Sequence, residues 1–232
     1  MPQSALVTGG SSGIGLAIAR ALRDDGYELT LASRTAEKVE AAAAELDAHA
    51  VAADVSREED CERLVAAHAE RFGGLDVLVN SAGIGIGGRI EDLQAKHVDL
   101  QLGVNLRGLI LVTRHALPLL KASRGHVINL ASIAGTEPTP GLGVYGATKA
   151  AVLALTRSLN AEVEGDGVRC TAVAPAFVDT PMASWSGIPP EQMIRPEDCA
   201  ELVRAVLRLS PYARVPVLVV ERVGAAGEGL PG

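Results

Sequence analysis

Short apolar runs alternate with longer stretches of helical periodicity along almost the whole chain. The apolar runs are bounded by glycine and small polar residues, as buried strands usually are. The longer stretches place apolar residues three or four positions apart, which is typical of amphipathic helices. Strands and helices in this alternation predict a parallel sheet covered by helices, in an α/β fold. The predicted strands are 4–7, 29–32, 50–53, 75–79, 126–130, 170–174 and 215–220.

The helical stretches alternate with the predicted strands, and the sequence contains neither a linker nor an internal repeat. Thr35 and Pro196 suit the starts of two of them, and Pro216 indicates that the last strand lies at a sheet edge. We therefore predict a single domain over 1–223 and a loose tail over 224–232. Helices are predicted directly after the glycine-rich turn 8–15 and over 36–46, 57–72, 91–121 with an interruption at 103–108, 145–164 and 197–209.

The composition excludes some classes of binding partner but adds little to the fold prediction. Almost half of the 232 residues are apolar (48%) but only 3% are aromatic, so alanine, valine and leucine must build the core. The formal net charge is −7 and the isoelectric point is about 5.3. Nucleic acids and anionic membranes normally require a basic face, so we expect neither as a partner.

Cysteine and histidine residues give no sign of a disulfide framework or a metal site. The three cysteines and five histidines are scattered, and no Cys-x-x-Cys pair occurs. We therefore expect no bound metal. No leader-like segment and no apolar run of spanning length is evident, which favours a cytoplasmic protein.

A glycine-rich turn, Thr8-Gly9-Gly10-Ser11-Ser12-Gly13-Ile14-Gly15, lies between the first strand and the first helix. Glycine lets the backbone turn tightly and approach a pyrophosphate, and the helix N-terminus offers unpaired N–H groups. This context favours nucleotide binding over a plain turn.

The second strand ends at Ser33-Arg34, where a dinucleotide-binding fold meets the adenosine ribose. A carboxylate at this point binds a 2′-hydroxyl, whereas an arginine accommodates a 2′-phosphate. Arg34 therefore favours NADP(H), with NAD(H) as the alternative. A plain solvated arginine before the next helix is the other interpretation.

Tyr145 and Lys149 lie four residues apart in a predicted helix, and so on the same side of it. A free phenol has a pKa near 10. A neighbouring ammonium favours the phenolate, so we expect Lys149 to lower the pKa of Tyr145 by ~1–3 units. Such a pair suits proton transfer, although in isolation it is more often an ordinary surface pair.

The segments with candidate chemistry all follow predicted strands, and ligands of doubly wound sheets sit beyond the carboxyl ends of the strands. This convergence supports a single site, independently of any family. The segments are 8–15, 33–34, 54–55, 80–83, 131–132 and 175–180.

With these residues in place, the chain resembles the short-chain dehydrogenase/reductase family over essentially its whole length. The resemblance implies a Rossmann-type doubly wound sheet of about seven strands in the order 3-2-1-4-5-6-7, with helices on both faces. The matching motifs are Thr8-Gly9-x-x-x-Gly13-Ile14-Gly15, Asn80-Ser81-Ala82-Gly83, Asn105, Ser132 thirteen residues before Tyr145, Tyr145-x-x-x-Lys149, and Pro175…Thr180-Pro181-Met182.

The resemblance also implies the roles of four catalytic residues in hydride transfer between a nicotinamide cofactor and a carbonyl or alcohol. Tyr145 would be the general acid or base, and Ser132 would hydrogen-bond the substrate oxygen. Lys149 would lower the pKa of Tyr145 and hold the ribose, while Asn105 would position a water beside Lys149. The implied cofactor contacts are Gly9, Ser11, Ser12, Gly13, Ile14, Gly15, Ser33, Arg34, Asp54, Val55, Asn80, Ala82, Gly83, Tyr145, Lys149, Pro175, Val178 and Thr180. For Asp54, capping of the following helix is the equal alternative.

Several features depart from the family pattern or leave alternatives open. Ser12 stands where many NADP-preferring relatives have a basic residue, Ala176 replaces a usual glycine, and the end of the chain lacks the common Asp-Gly-Gly. The rival function is a non-catalytic NADP(H)-binding sensor, although such proteins usually lose the tyrosine or lysine. A hydrolase is rejected because Ser132 lacks a Gly-x-Ser-x-Gly elbow and no histidine follows residue 126.

Two further expectations concern what the protein binds. The segments 84–95, 133–144 and 182–195 contain apolar residues such as Ile84, Leu142 and Trp185. They predict a pocket for a small or medium apolar ketone, aldehyde or 3-oxoacyl group. Helix 145–164 is apolar on more than one face, which favours a homodimer or homotetramer.

Overall fold

The structure, a computed structural model, describes residues 2–224. Apart from Gly224, the tail predicted over 224–232 lies outside the described residues. The chain forms a single sheet of seven parallel strands in the order β3-β2-β1-β4-β5-β6-β7, which confirms the prediction. The strands are β1 (Ser4–Thr8), β2 (Glu28–Ser33), β3 (His49–Ala52), β4 (Val77–Asn80), β5 (His126–Leu130), β6 (Arg169–Pro175) and β7 (Val217–Val220).

Helices cover both faces of this sheet. Successive strand residues point to opposite faces, and Val7 belongs to the core beneath α1, α2 and α7, whereas Leu6 belongs to the core beneath α3 and α5. Burial on both faces explains why the strands read as continuous apolar runs. The helices are α1 (Gly13–Asp24), α2 (Ala36–Leu46), α3 (Glu58–Phe72), α4 (Ala95–Leu102), α5 (Leu109–Ser123), α6 (Gly143–Glu162) and α7 (Pro196–Leu207).

The predicted interruption at 103–108 is a π-helical segment, Gly103–Gly108, which directly joins α4 to α5. Gly108 shows why the small residue is needed there, since an added Cβ would lie 2.6 Å from the carbonyl oxygen of Val55. Segments of this kind are frequent at functional sites. The segment contains Asn105, one of the four predicted catalytic residues.

The last strand lies at the edge of the sheet, as Pro216 predicted. It begins at Val217 rather than at residue 215, because the proline has no N–H to donate to a ladder. The carbonyl oxygen of Pro216 still accepts a hydrogen bond from the Ala172 N–H at 3.0 Å.

A chain of buried polar side chains fastens α5 and α6 to the centre of the sheet. Asn80 Nδ2 donates to Thr113 Oγ1 of α5 at 3.0 Å and to Asn129 Oδ1 of β5 at 2.9 Å. Asn129 Nδ2 in turn donates to Thr156 Oγ1 of α6 at 3.0 Å. Buried networks of this kind specify one arrangement of the elements that they connect.

Two buried histidines lie away from the ends of the strands that carry the candidate chemistry. His68 contacts Thr30 Oγ1 at 2.8 Å through Nδ1 and the Gly74 carbonyl oxygen at 3.0 Å through Nε2, while His126 contacts Thr171 Oγ1 at 2.9 Å. Burial lowers the pKa of His68 to about 4 and that of His126 to about 3. Both imidazoles are therefore neutral in the folded chain at neutral pH.

These histidines predict a loss of stability in mild acid. Because their pKa values are lower in the folded state than the ~6.5 of an unfolded histidine, the unfolded chain takes up more protons as the pH falls below about 6.5. The free energy of unfolding should fall by up to about 2.7 kcal/mol per pH unit between pH 6 and 4.5, above most carboxylate titrations. Urea unfolding at stepped pH measures this slope. His68→Gln and His126→Gln should each remove about half of it, and a flat profile in the wild type would contradict the assignment.

Candidate active site

One cavity of about 390 Å³ lies at the carboxyl edge of the sheet. The segments that follow β1, β4, β5 and β6 form its walls together with the first turns of α6, as the convergence of strand ends predicted. The predicted site residues that line the cavity are Gly9, Ser12, Gly13, Ile14, Gly15, Gly83, Ser132, Tyr145, Lys149, Pro175, Val178 and Thr180.

The glycine-rich turn is closed by backbone contacts that leave no room for side chains. Gly9 has a φ of +66°, and a Cβ on it would lie 2.8 Å from the amide nitrogen of Ala82. A Cβ on Gly15 would lie 2.4 Å from the carbonyl oxygen of Gly9. Thr8 Oγ1 accepts the Ser81 N–H at 3.1 Å, which ties the turn to the end of β4. This arrangement presents the N-terminus of α1 to the cavity, where an anionic group is favoured.

Ser132 and Tyr145 both line the cavity and form a side-chain hydrogen bond. Ser132 directly follows β5, and its Oγ accepts the Ala134 N–H at 3.2 Å, which fixes the side chain. Tyr145 lies in the first turn of α6. Burial raises the pKa of Tyr145 above its ordinary value, and a hydrogen bond with Ser132 lowers it in part. The phenol is therefore protonated at neutral pH and can serve as a proton donor.

Lys149 lies one turn after Tyr145 and is buried, with its Nζ 5.6 Å from the centre of the tyrosine ring. Nζ donates a hydrogen bond to the carbonyl oxygen of Leu130 at 2.7 Å. Burial lowers the pKa of Lys149 to about 8. The expectation that this ammonium lowers the pKa of Tyr145 is wrong for this structure, because burial of the phenol is the largest effect and it raises that pKa.

Asn105 reaches the site through the backbone of the segment after β4. Its Oδ1 accepts the Ile84 N–H at 2.8 Å, and its Nδ2 donates to the Ile84 carbonyl oxygen at 2.8 Å and to Thr148 Oγ1 at 3.2 Å. A Cβ on Gly83 would lie 3.5 Å from Asn105 Oδ1 and 3.6 Å from Lys149 Nζ. Both side chains thus adjoin Gly83, and the amide of Asn105 is occupied in bracing the loop.

Some predicted cofactor contacts lie outside the cavity. Val55, Asn80 and Ala82 border a second, smaller void, and the side-chain nitrogen of Asn80 is committed to the core network described above. Asp54 Oδ1 accepts the Ser56 N–H at 2.9 Å. Because α3 begins only at Glu58, with Arg57 as its N-cap residue, Asp54 does not cap that helix.

The remaining predicted contacts are Ser11, Ser33 and Arg34, none of which lines the cavity. Ser33 ends β2 and Arg34 directly follows it; the hydroxyl of Ser33 donates to the Thr35 carbonyl oxygen at 3.1 Å. Arg34 is exposed at this end, and no ion pair among the described residues includes it.

Comparison with known proteins identifies the family. The family model for short chain dehydrogenases matches residues 3–187. An uncharacterised oxidoreductase of Staphylococcus epidermidis is 37% identical over 222 residues, covering 94% of this chain and 96% of the relative. The chain belongs to the short chain dehydrogenase family. It is therefore an oxidoreductase of that family.

Solved structures of other short chain dehydrogenases share the fold. An alcohol dehydrogenase from the archaeon Thermococcus sibiricus, complexed with 5-hydroxy-NADP, is 36% identical with a TM-score of 0.89, covering 95% of this chain and 97% of that one. A 3-ketoacyl-(acyl-carrier-protein) reductase from Brucella melitensis, complexed with NADH, is 31% identical with a TM-score of 0.88, covering 94% and 96%. These similarities support a nicotinamide cofactor without deciding between NADP and NAD.

Two absences can be stated for the described part of this short chain dehydrogenase. No helix within residues 2–224 is long and apolar enough to cross a membrane. Over the same residues, no group of three or more His, Cys, Asp or Glu side chains could hold a metal ion.

Sequence reasoning missed Gln101, which is fully buried one turn before Asn105. Its Oε1 accepts the Ile86 N–H at 3.1 Å, so two amides of the same helical stretch brace the same loop. The signal was available in the spacing of Gln101 and Asn105, four residues apart on one side of a helix.

The close contacts in the turn predict an unusual effect for Gly15→Ala. In an ordinary helix this change stabilises by about 1 kcal/mol. Here the added methyl would overlap the Gly9 carbonyl oxygen, so we expect a loss of about 1–3 kcal/mol in the free energy of unfolding. Urea unfolding measures it. Gly143→Ala, at the start of α6 with open space around it, is the matched control. Equal stability of the two variants would contradict the packing described here.

Proposed function

We propose that this short chain dehydrogenase transfers a hydride between NADP(H) and a carbonyl or alcohol, with Tyr145 as general acid and base. The observation that carries the proposal is the cavity itself, whose lining includes both the glycine-rich turn and the side chains of Ser132, Tyr145 and Lys149. The rival function, a non-catalytic sensor, would have no need of a serine, a tyrosine and a lysine converging at one point.

The residues present fit a dinucleotide. Backbone contacts at Gly9 and Gly15 hold the turn closed against the segment after β4. The start of α1 lines the cavity, and its first N–H groups suit a pyrophosphate. When bound, a reduced nicotinamide supplies the hydride.

Residues of the chain supply the proton and stabilise the charge that develops on the substrate oxygen. In reduction, the Tyr145 hydroxyl donates its proton to the carbonyl oxygen, and Ser132 Oγ donates a hydrogen bond to the same oxygen as negative charge develops on it. The raised pKa of Tyr145 keeps the phenol in the acid form that reduction requires. Alcohol oxidation needs the phenolate and is therefore favoured at higher pH. Lys149, with a pKa lowered to about 8, stands beside Tyr145 as a group that can share and resupply protons.

Arg34 supports NADP(H) over NAD(H) as the cofactor. It is exposed at the end of β2, without an ion pair among the described residues, so its guanidinium is available to a 2′-phosphate. The solved relatives differ in this respect, since the archaeal alcohol dehydrogenase holds an NADP derivative and the Brucella reductase holds NADH.

We also propose that the protein self-associates, as a homodimer or a homotetramer. The outward side of α6 carries exposed small residues such as Ala147 and Ala154, and Ile110 of α5 is 40% exposed. A second copy of the chain could cover these positions.

Tyr145→Phe tests the catalytic proposal. Loss of the proton donor should lower kcat for carbonyl reduction by about 10²–10⁴-fold, while NADPH affinity measured by fluorescence stays within about twofold. Tyr212→Phe, which changes a tyrosine that is 97% exposed, is the matched control and should retain full activity. Full activity of the Tyr145 variant would remove the proposed mechanism.

Arg34→Ala tests the cofactor preference. Loss of charge-assisted hydrogen bonds worth about 1.5–3 kcal/mol should weaken NADPH binding by about 10–100-fold, with little change in NADH binding. Titration calorimetry with both cofactors measures this. Lys96→Ala, at an exposed basic residue of α4, should change neither affinity. An equal effect of Arg34→Ala on NADPH and NADH would refute the assignment.

A further inference from the structure

The loop that follows β4, Gly83–Gly88, consists of glycine and isoleucine in the order Gly-Ile-Gly-Ile-Gly-Gly. Glycine loses more conformational freedom on folding than any other residue. A loop of this composition therefore keeps one shape only where specific contacts hold its backbone. The shape matters for the site, because Gly83 at the start of the loop lines the cavity.

Both ends of the loop are fastened by hydrogen bonds. The Ile84 N–H donates to Asn105 Oδ1 and the Ile84 carbonyl oxygen accepts from Asn105 Nδ2, both at 2.8 Å. The Gly88 N–H donates to the carbonyl oxygen of Gly141 at 2.8 Å, shortly before α6 begins. Residues 85–87 lie between these two points and include two more glycines. A further contact is thus needed to fix the middle of the loop.

Gln101 of α4 supplies that contact. Its Oε1 accepts the Ile86 N–H at 3.1 Å, and its Nε2 donates to the carbonyl oxygen of His97 at 3.4 Å. The side chain is fully buried, which is uncommon for glutamine. An apolar side chain of the same length would fill this position without the desolvation cost of an amide. The hydrogen bond to the loop is therefore the specific contribution of the glutamine.

The middle of the loop packs against the first turn of α6. A Cβ added to Gly85 would lie 3.7 Å from Tyr145 Cδ2 and 3.8 Å from Tyr145 Cε2. A Cβ added to Gly87 would lie 3.7 Å from Cδ2 of Leu142, the residue that directly precedes α6. The backbone of the loop therefore supports one edge of the tyrosine ring.

The position of this ring matters for proton transfer. The hydroxyl of Tyr145 is hydrogen-bonded with Ser132, so the phenol is held at its tip by the serine and along one edge by the loop. Proton transfer requires the hydroxyl to lie about 2.6–3.2 Å from the substrate oxygen. A misplacement of about 1 Å, caused by a change far from the chemistry, can lower the rate about 10²-fold.

We propose that Gln101 is a positioning residue for the proposed reaction. Its hydrogen bond to Ile86 holds the loop Gly83–Gly88 against the ring of Tyr145, and so keeps the phenol hydroxyl where it can exchange a proton with the substrate oxygen. Gln101 is not one of the described residues that line the cavity, and it acts through the loop alone. This proposal rests on the proposed function and deepens it.

Gln101→Met tests the proposal, since it keeps an unbranched side chain of similar length but removes the acceptor for Ile86. The probe is the fastest-reduced of ethyl pyruvate, benzaldehyde and cyclohexanone. We expect kcat with NADPH to fall at least about tenfold, while the Kd for NADPH measured by fluorescence changes less than about twofold, because the glycine-rich turn is intact. Gln94→Met, at an exposed glutamine just before α4, is the matched control and should change neither quantity.

A double-mutant cycle separates positioning from a merely structural role. In the Tyr145→Phe background there is no hydroxyl left to position, so Gln101→Met should lower the residual kcat less than about twofold. A purely structural effect would lower kcat by the same factor in both backgrounds. That result, or an unchanged kcat of Gln101→Met in the wild-type background, would overturn the proposal.

A second variant tests the same hydrogen bond from the side of the loop. Replacing Ile86 by its α-hydroxy acid analogue turns the amide into an ester and removes the N–H, while both side chains stay in place. It leaves the volume of the buried core unchanged, and so provides the test if Gln101→Met does not fold. We expect the same pattern, with kcat lowered at least about tenfold in the wild-type background and less than about twofold beside Tyr145→Phe. An unchanged kcat would again overturn the proposal.

The outcomes distinguish this inference from the proposed function. If the wild type binds NADPH but reduces none of the probes, the proposed function fails and this inference fails with it. If Tyr145→Phe lowers kcat as proposed while loss of the hydrogen bond between Gln101 and Ile86 does not, only this inference fails.

Discussion

The buried amino group of Lys149 is the constraint on which the rest of the site depends. An ammonium in a low-dielectric interior is unfavourable unless it is hydrogen-bonded, and here the Leu130 carbonyl oxygen at the end of β5 is 2.7 Å from Nζ. That contact requires α6 to keep a fixed height and rotation against the sheet. The network from Asn80 through Asn129 to Thr156 supplies this restraint in the same layer. The buried polar network and the candidate active site therefore depend on the same placement of α6 against the sheet.

The same arrangement brings the glycine-rich turn and the side chains of Ser132, Tyr145 and Lys149 to one cavity. Parallel strands place their carboxyl ends together, and glycine lets the turn after β1 approach the segment after β4 within van der Waals contact. Beyond that segment, Gln101 of α4 and Asn105 of the π-helical segment hold the backbone of the loop, which passes beside the ring of Tyr145 at Gly85. The glycine-rich turn and Tyr145 thus both lie against the segment after β4, although they belong to different elements.

Much of this could be predicted from the sequence, because the signals were local. Apolar runs located all seven strands, and the weak helical pattern at 103–108 marked the π-helical segment that carries Asn105. The direction of the Tyr145 pKa shift was predicted wrongly, because spacing reveals the neighbouring ammonium but not the burial of the phenol, which is the largest effect on its pKa. The core role of Asn80 also escaped prediction, since it depends on Thr113 and Asn129, which are distant in sequence.

The central claim is that the Tyr145 hydroxyl faces a nicotinamide held by the glycine-rich turn. A crystal structure of the protein with NADP⁺ and a bound secondary alcohol tests it most directly. We expect the pyrophosphate at the N-terminus of α1, the 2′-phosphate beside Arg34, and the alcohol oxygen within about 3 Å of the Tyr145 hydroxyl. A dinucleotide bound elsewhere, or a Tyr145 hydroxyl turned away from the alcohol, would contradict the account.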